Sequence, residues 1–405
     1  MSEEKLVPKL RFSGFDDEWK SFKLSEISKR ITRKNKSLET DRPLTISAQY
    51  GLVDQIEYFN KIVASKSLKG YYLLNKGEFA YNKSYSNGYP FGAVKRLDDY
   101  ENGAISTLYI CFNTNDKMNS DLLKEYFETD KWHEEIYKIA VEGARNHGLL
   151  NVAVGDFFNT KHVLPTNNHE QEKIAKFLIE INTKIDLLEN KHKAYQDFKK
   201  YLMQKIFAQE LRFDFSDEWK IVKLESLIKK GKAGGTPSST NSDYYNGDIP
   251  FLSIKDMTDQ GKYIVKTEKT ITEEGLNNSS AWIIPKNSLL YSIYASIGLV
   301  AINRSDISTS QAIYGIILKD GVSLEYMYYY LTYFKKNIHK YIETGTQGNL
   351  NAKLLKSFEI LLPSLGEQEM IVNVLSIVDE KIENSKKEIE KINEFKKGLL
   401  QQMFV

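Results

Sequence analysis

Apolar residues recur three and four positions apart over two long stretches of this chain. In the first, which opens at Leu164-Pro165 and runs to Phe207, the pattern passes through Ile174, Leu178, Ile181, Ile185, Leu188, His192, Tyr195, Lys199 and Leu202. In the second, from Leu362-Pro363 to Phe404, it passes through Ile371, Leu375, Val378, Ile382, Ser385, Ile389, Ile392, Lys396 and Leu399. Such spacing makes the narrow seam of a coiled coil rather than the wider stripe of a surface helix. Each stretch holds roughly 36 residues without Pro and, Gly398 apart, without Gly, which predicts helices about 54 Å long at about 1.5 Å per residue. A seam of that length calls for a partner, and the other copy matches it position by position. The alternative is that each helix packs only on its own globular domain.

The two stretches are copies of one another. Glu170-Gln171-Glu172 returns as Glu367-Gln368-Glu369, and Phe198-Lys199-Lys200 as Phe395-Lys396-Lys397. The duplication reaches further back: Leu10-Arg11-Phe12 with Asp17-Glu18-Trp19-Lys20 returns as Leu211-Arg212-Phe213 with Asp217-Glu218-Trp219-Lys220. The chain therefore reads as two units of roughly 195 residues, each a short lead-in, a globular stretch and a long helix. The expected division is 1–163 and 208–361 for the globular parts, with 164–207 and 362–405 for the helices.

Within the first unit, residues 1–9 read as a loose leader, and Leu24–Ile31 (LSEISKRI) as helical. Thr32–Ser37 should be a basic loop, and Leu44–Ser47 a strand with a turn at Gly51. Residues 71–85 are expected to form a hairpin turning at Asn75-Lys76-Gly77. Residues 103–113 should be one further strand and 121–140 one amphipathic helix. An irregular loop, Gly143–Gly148, follows. The second unit repeats the order with different residues. It has a Gly-Gly-Thr-Pro loop at 234–237, a strand pair at 288–302 turning at Gly298, a strand opening at Ser308, a helix over 323–342 and a loop at Thr344–Gly348. A duplicated frame with diverged loops suggests two readers of different things.

Composition narrows the classes. Lys plus Arg number 56 against 54 for Asp plus Glu, so nucleic acid is neither demanded nor excluded by net charge. No apolar run approaches the roughly 20 residues of a membrane span and no charged-then-apolar leader opens the chain, so a cytoplasmic protein is expected. Cys111 stands alone, which leaves no disulfide framework and no cysteine metal cluster. The 25 tyrosines suit both packing and recognition of bases and phosphates.

Catalytic patterns are missing. The glycine-rich 231–235 segment lacks P-loop spacing. His133, His147, His162, His169, His192 and His339 are scattered, and His192, on the seam, reads as a packed histidine. There is no GxSxG elbow and no Asn/Asp-Pro-Pro-Tyr/Phe motif. A Glu-x-Lys half-motif at Glu189-Asn190-Lys191 falls inside the long helix, where it faces solvent. The chain is expected to carry out no chemistry itself.

These residues resemble the specificity subunit of type I restriction–modification systems. The resemblance covers nearly the whole chain and rests on Gly234-Gly235-Thr236-Pro237-Ser238 with Gly247-Asp248-Ile249-Pro250 downstream, and on the twice-used Leu-Pro…Glu-Gln-Glu helix start. The segments PLTISAQYGLVDQIEYFNKIVAS and KGYYLLNKGEFAYNKSYSNG of the first unit add to it. One departure is local: Arg33-Lys34-Asn35-Lys36 stands where Gly-Gly-Thr-Pro would be. The resemblance implies an α+β fold with two similar target-recognition domains joined by two long helices, which form an antiparallel coiled coil in a duplication with pseudo-twofold symmetry. It implies that each domain reads one half of a bipartite DNA site and that the coiled coil sets the spacer. Two modification (methyltransferase) subunits and restriction (endonuclease/translocase) subunits would be the partners. S-adenosylmethionine, ATP and Mg would belong to those partners, so no cofactor is expected here.

Basic and amide side chains in loops are the candidates for reading DNA, since Arg and Lys suit guanine and phosphate while Asn and Gln suit adenine. They are Lys34, Asn35, Lys83, Tyr85, Asn87, Arg145 and Asn146 in the first unit. In the second they are Lys232, Thr236, Ser253, Lys255, Tyr294, Gln311 and Gln347. Two other classes stay open: a fragment of a fused nuclease–methyltransferase, and a coiled-coil scaffold that does not touch DNA.

Overall fold

In the computed structural model the described residues are 6–65, 67–86, 88–140, 150–294, 296–340 and 350–405. The first five residues of the leader and the loops 143–148 and 344–348 lie outside them. The chain forms two compact units, one of Met1–Glu189 with Lys387–Val405 and one of Asn190–Lys386. Both long helices are present, at Asn168–Phe207 and Leu365–Met403, and each contributes one half to each unit.

The first unit is framed by β1 (Lys20–Lys23), antiparallel to β10 (Lys161–Leu164), which brings the two ends of the globular stretch together. One sheet has the order β2 (Ser28–Ile31), β9 (Ile110–Thr114), β6 (Phe79–Asn82), β7 (Ala93–Arg96), every pair antiparallel. A second sheet has the order β4 (Gly51–Asp54), β3 (Pro43–Ser47), β8 (Asn102–Ile105), β5 (Tyr72–Asn75), with β3 and β8 parallel.

Four readings of the sequence are corrected here. The turn after Asn75 exists, but β5 and β6 join different sheets, so residues 71–85 are not a hairpin. Gly77 N–H donates to the Leu97 carbonyl at 2.7 Å and Lys76 N–H to that of Glu101 at 2.9 Å, and both strands are buried enough to need other neighbours. Residues 103–113 likewise split into β8 and β9 across a turn with Leu108 exposed, which carries the chain back between sheets. The expected helix over 121–140 is two, Ser120–Tyr126 and His133–Ile139. It breaks because Thr129 Oγ1 takes the Tyr126 carbonyl at 2.7 Å and Trp132 Nε1 that of Phe127 at 3.1 Å, which would otherwise continue the helix. The LSEIS helix is also shorter than read, a single turn at Leu24–Ile27 before β2 begins.

The second unit repeats the frame. Here β11 (Lys220–Lys223) pairs with β20 (Glu359–Leu362). The large sheet runs β12 (Ile228–Ala233), β19 (Ile313–Leu318), β16 (Leu289–Ser292), β17 (Val300–Asn303), β14 (Tyr263–Ile264). The smaller one runs β15 (Lys269–Ile271), β13 (Tyr245–Leu252), β18 (Ser308–Thr309), again with a parallel pair, β13 with β18. The strand pair over 288–302 turns at Gly298 with φ +85°, a conformation glycine adopts without strain. The helix read over 323–342 is Leu324–Phe334 followed by a 3-10 stretch to Lys340.

The seam residues sit where the globular cores close. In the first unit Ile174, Leu178 and Ile181 are buried together with Leu399, Leu400, Met403 and Phe404 of the second long helix, with Ile185 and Ile392 packed against them. Leu188 and Ile392 line a groove beside Phe395. In the second unit Leu202 shares a core with Ile371, Leu375 and Val378, with Ile382 against it, while Ile389, in the first unit, is half-buried. His192 Nδ1 lies 2.8 Å from the Ser385 hydroxyl and Lys199 Nζ 2.6 Å from Asp379 Oδ1. One helix ascends in number as the other descends, so the pair is antiparallel.

The repeated Glu-Gln-Glu motif joins lead-in, helix and globular stretch. Glu170, buried, accepts from Arg11 Nε at 2.6 Å and Nη2 at 2.9 Å, and Glu367 accepts from Arg212 Nη2 at 2.9 Å. Gln171 takes the Asn119 N–H at 2.7 Å and donates to the Pro165 carbonyl at 2.9 Å; Gln368 does the same with Ser323 and Pro363. A buried carboxylate requires such a charged donor, and a buried amide requires both of its ends filled.

One buried group makes stability depend on pH. His162 bridges the Tyr126 hydroxyl at 3.0 Å and the Thr160 hydroxyl at 2.8 Å, and burial pushes its pKa down to about 4. The unfolded chain takes up a proton near pH 6.5 that the folded chain refuses until about pH 4. Stability is thus full above pH 7 and falls as pH drops through that window, by up to about 3 kcal/mol. Urea unfolding at pH 7.5 and pH 5 should show this loss in the wild type and a much smaller one in His162→Gln.

Candidate nucleic-acid interface

In the first unit β2 and β6 run in the same direction, because each is antiparallel to the β9 between them, and Ile31, Cys111 and Ala80 share one row. In the second unit Lys232, Gly315 and Leu290 form the equivalent row across β12, β19 and β16. Lys34 and Asn35 follow β2 and Lys83 and Tyr85 follow β6, so these four leave the sheet at one end. Thr236 follows β12, Tyr294 follows β16 and Gln311 precedes β19, at the corresponding end of the second sheet.

The second unit's loop is built by close backbone approach. Gly234 N–H donates to the Ile313 carbonyl and Gly235 N–H to that of Thr309, both at 2.9 Å. A Cβ on Gly234 would stand 2.1 Å from the Thr309 carbonyl oxygen, so no larger residue fits. The loop is thereby held against residues 309–313. It presents Thr236, whose hydroxyl donates to Gln311 Oε1, both side chains being exposed. Ser253 adjoins them, since Leu252 accepts from Ser310 N–H at 3.3 Å, but its hydroxyl caps its own helix and donates to Asp256 at 2.7 Å. Lys232 is exposed on the edge strand, and Tyr294 is partly exposed. Lys255 is also exposed, with its ammonium 2.8 Å from Glu268. Gln347 lies outside the described residues. Leu350 N–H donates to the Ile293 carbonyl at 3.2 Å, at this end of the sheet.

In the first unit Lys34 is half-buried, lies over the Tyr72 ring at 4.1 Å and donates to the Gly70 carbonyl at 2.9 Å. Asn35 is fully buried. Its amide donates to the Thr40 carbonyl at 2.8 Å and accepts the Thr40 N–H, so it folds its own loop and presents nothing to a ligand. Lys83 is half-buried near the Val152 carbonyl, and Tyr85 is well exposed. Leu150 donates to the Lys83 carbonyl at 2.9 Å, the counterpart of the Leu350 contact. Asn87, Arg145 and Asn146 lie outside the described residues.

The structure adds a feature the sequence reading passed over. β2 and β12 are edge strands, and both carry exposed basic pairs, Lys29-Arg30 and Lys229-Lys230. Lysines there discourage pairing with another sheet, and they also offer charge to phosphate oxygens beside the loop cluster. The signal was present in SKRI and IKKGK, but the first was read as helix. Among the described residues no group of acidic, histidine and cysteine side chains could hold a metal ion, and no helix is long and apolar enough to cross a membrane.

Residues 216–394 match the family described as the type I restriction modification DNA specificity domain. The chain is 35% identical over 193 residues, 46% of its length and 44% of the relative's, to the type I restriction enzyme MjaIX specificity subunit of Methanocaldococcus jannaschii. It is 24% identical to the MjaVIII specificity subunit of the same organism over 95% of this chain and 91% of that one. It spans half or less of the length of three curated relatives that it matches, at 44%, 34% and 50%. In fold it is similar to the solved S subunit of a type I restriction–modification system from M. genitalium, with a TM-score of 0.55 at 15% identity over 99% of both chains. The second unit thus matches the type I restriction modification DNA specificity domain, and the chain as a whole is similar in sequence and fold to type I restriction–modification specificity subunits.

Proposed function

We propose that the chain is the DNA-reading subunit of a type I restriction–modification complex, each globular stretch reading one half of a bipartite site. The observation that carries this is that both units set a loop cluster of differing polar residues at the same end of the same sheet. Different side chains on one frame read different bases. The long helices, shared by both units, set the spacer between half-sites. The subunit catalyses nothing; it works in the cytoplasm and holds two methyltransferase subunits and the restriction subunits on the DNA. S-adenosylmethionine, ATP and Mg are bound by those partners.

Replacing residues 30–160 with the corresponding segment of another specificity subunit should change one methylated half-site and leave the other as it was. Mapping methylated positions in a genome carrying the chimera and its partners reads this directly. Alteration of both halves, or of neither, would count against one reader per half-site.

The two second-unit lysines should differ. Lys232→Ala in the assembled complex should weaken DNA binding several-fold at about 0.1 M salt and reduce the slope of log K against log salt by about 1, the share of one phosphate contact. Lys255→Ala should do less, because Glu268 already offsets its charge. Titrations between about 50 and 200 mM salt measure both slopes, and equal slopes in all three proteins would remove Lys232 from the interface.

A further inference from the structure

We propose that a half-buried polar triad, built around one fully buried side chain of the globular stretch, keys each globular stretch to its own half of the long-helix pair, and that the two keys are not interchangeable. In the first unit Glu125, on the helix Ser120–Tyr126, is only 1% exposed. Its Oε1 accepts from Asn182 Nδ2 of the first long helix at 2.7 Å, and its Oε2 lies 3.3 Å from Lys396 Nζ of the second. The lysine contact is electrostatic, since Oε2 has no aligned hydrogen-bond donor. In the second unit the Tyr329 hydroxyl, on the helix Leu324–Phe334, donates to Asp379 Oδ2 of the second long helix at 2.5 Å. Lys199 Nζ of the first long helix stands 2.6 Å from Asp379 Oδ1. Lys262 Nζ, whose pKa burial pushes down, completes the group by donating to the Tyr329 hydroxyl at 3.0 Å.

These are the same three places. Asn182 and Asp379 stand equally far past Glu170 and Glu367, as do Lys199 and Lys396. Glu125 and Tyr329 stand equally far past Asn119 and Ser323, whose N–H groups bind Gln171 and Gln368. At these three places each unit has one carboxylate and one lysine, Lys262 being a fourth member in the second unit alone, but the carboxylate has changed element: it is on the globular stretch in the first unit and on the long helix in the second. This also accounts for lysines on an apolar seam, because each crosses to the carboxylate of its triad.

Moving the first globular stretch onto the second unit's helices would set Glu125 against Asp379, with Lys199 shared between two carboxylates in a desolvated place. The reverse exchange would leave Lys396 facing Tyr329 and Asn182, a half-buried cation with no counter-charge in the triad. Two copies of one half avoid both conflicts, since Lys199 and Lys396 are equivalent. The inference stands on the packing within each unit and does not depend on what the chain reads.

The test uses the full chain. Asn182→Asp reproduces the conflict in place and should lower the thermal midpoint by roughly 5–10 °C. Adding Glu125→Gln restores a single carboxylate opposite Lys396, in the arrangement of the second unit, and should recover at least half of that loss. In the second unit Tyr329→Glu should destabilise similarly and Asp379→Asn should rescue it, which keeps the comparison open if Asn182→Asp alone does not fold. Local packing defects would add in the double variants rather than cancel. An Asn182→Asp chain as stable as the wild type, or double variants no better than the singles, would overturn the proposal.

Discussion

A helix of 40 residues with an apolar seam cannot stand in water uncovered, and everything else here follows from how that seam is buried. Within each unit it is covered twice over, by the other long helix and by the core of a globular stretch. The buried Glu170 and Glu367 anchor the lead-ins with their arginines, and the glutamines that follow fix where the short core helices begin. Within each unit the loop cluster therefore rests on a frame fixed by the helix pair and by one buried glutamate and one glutamine.

The helices were legible because their signal is local and repeated: a period near 3.5 survives any tertiary context, and Ile174, Leu178 and Leu375 are buried as the spacing requires. The sheets were less legible because strand pairing is not written along the chain. Asn75-Lys76-Gly77 encodes a reversal, yet only the distant Leu97 and Glu101 decide that β5 and β6 part company. The Thr129 and Trp132 side chains that break a helix are ordinary residues in the sequence, and their effect depends on reaching particular carbonyls.

For the site, glycines were the better guide. Gly234 and Gly235 marked a close backbone approach, and Thr236 with Gln311 lies where that approach ends. Amide chemistry alone misled: Asn35 has the groups to read a base, but a loop without apolar anchors consumed them for its own closure. Lys29-Arg30 and Lys229-Lys230 became visible only when β2 and β12 proved to be edges, a property of sheet order rather than of composition.

The division of the chain also bears on how it is made. The second unit is one continuous run, Asn190–Lys386, and all of its core is available once that run has left the ribosome. The first unit is not: Leu399, Leu400, Met403 and Phe404 fill the core around Trp19 and Tyr126, with Phe404 5.6 Å from the Tyr126 ring. Residues synthesised first must wait for residues synthesised nearly four hundred positions later, with Ile174, Leu178 and Ile181 exposed meanwhile. Closing so long a loop is slow, and its interim surface is apolar. The core of the unit that begins the chain is thus complete only when the last residues of the sequence have joined it.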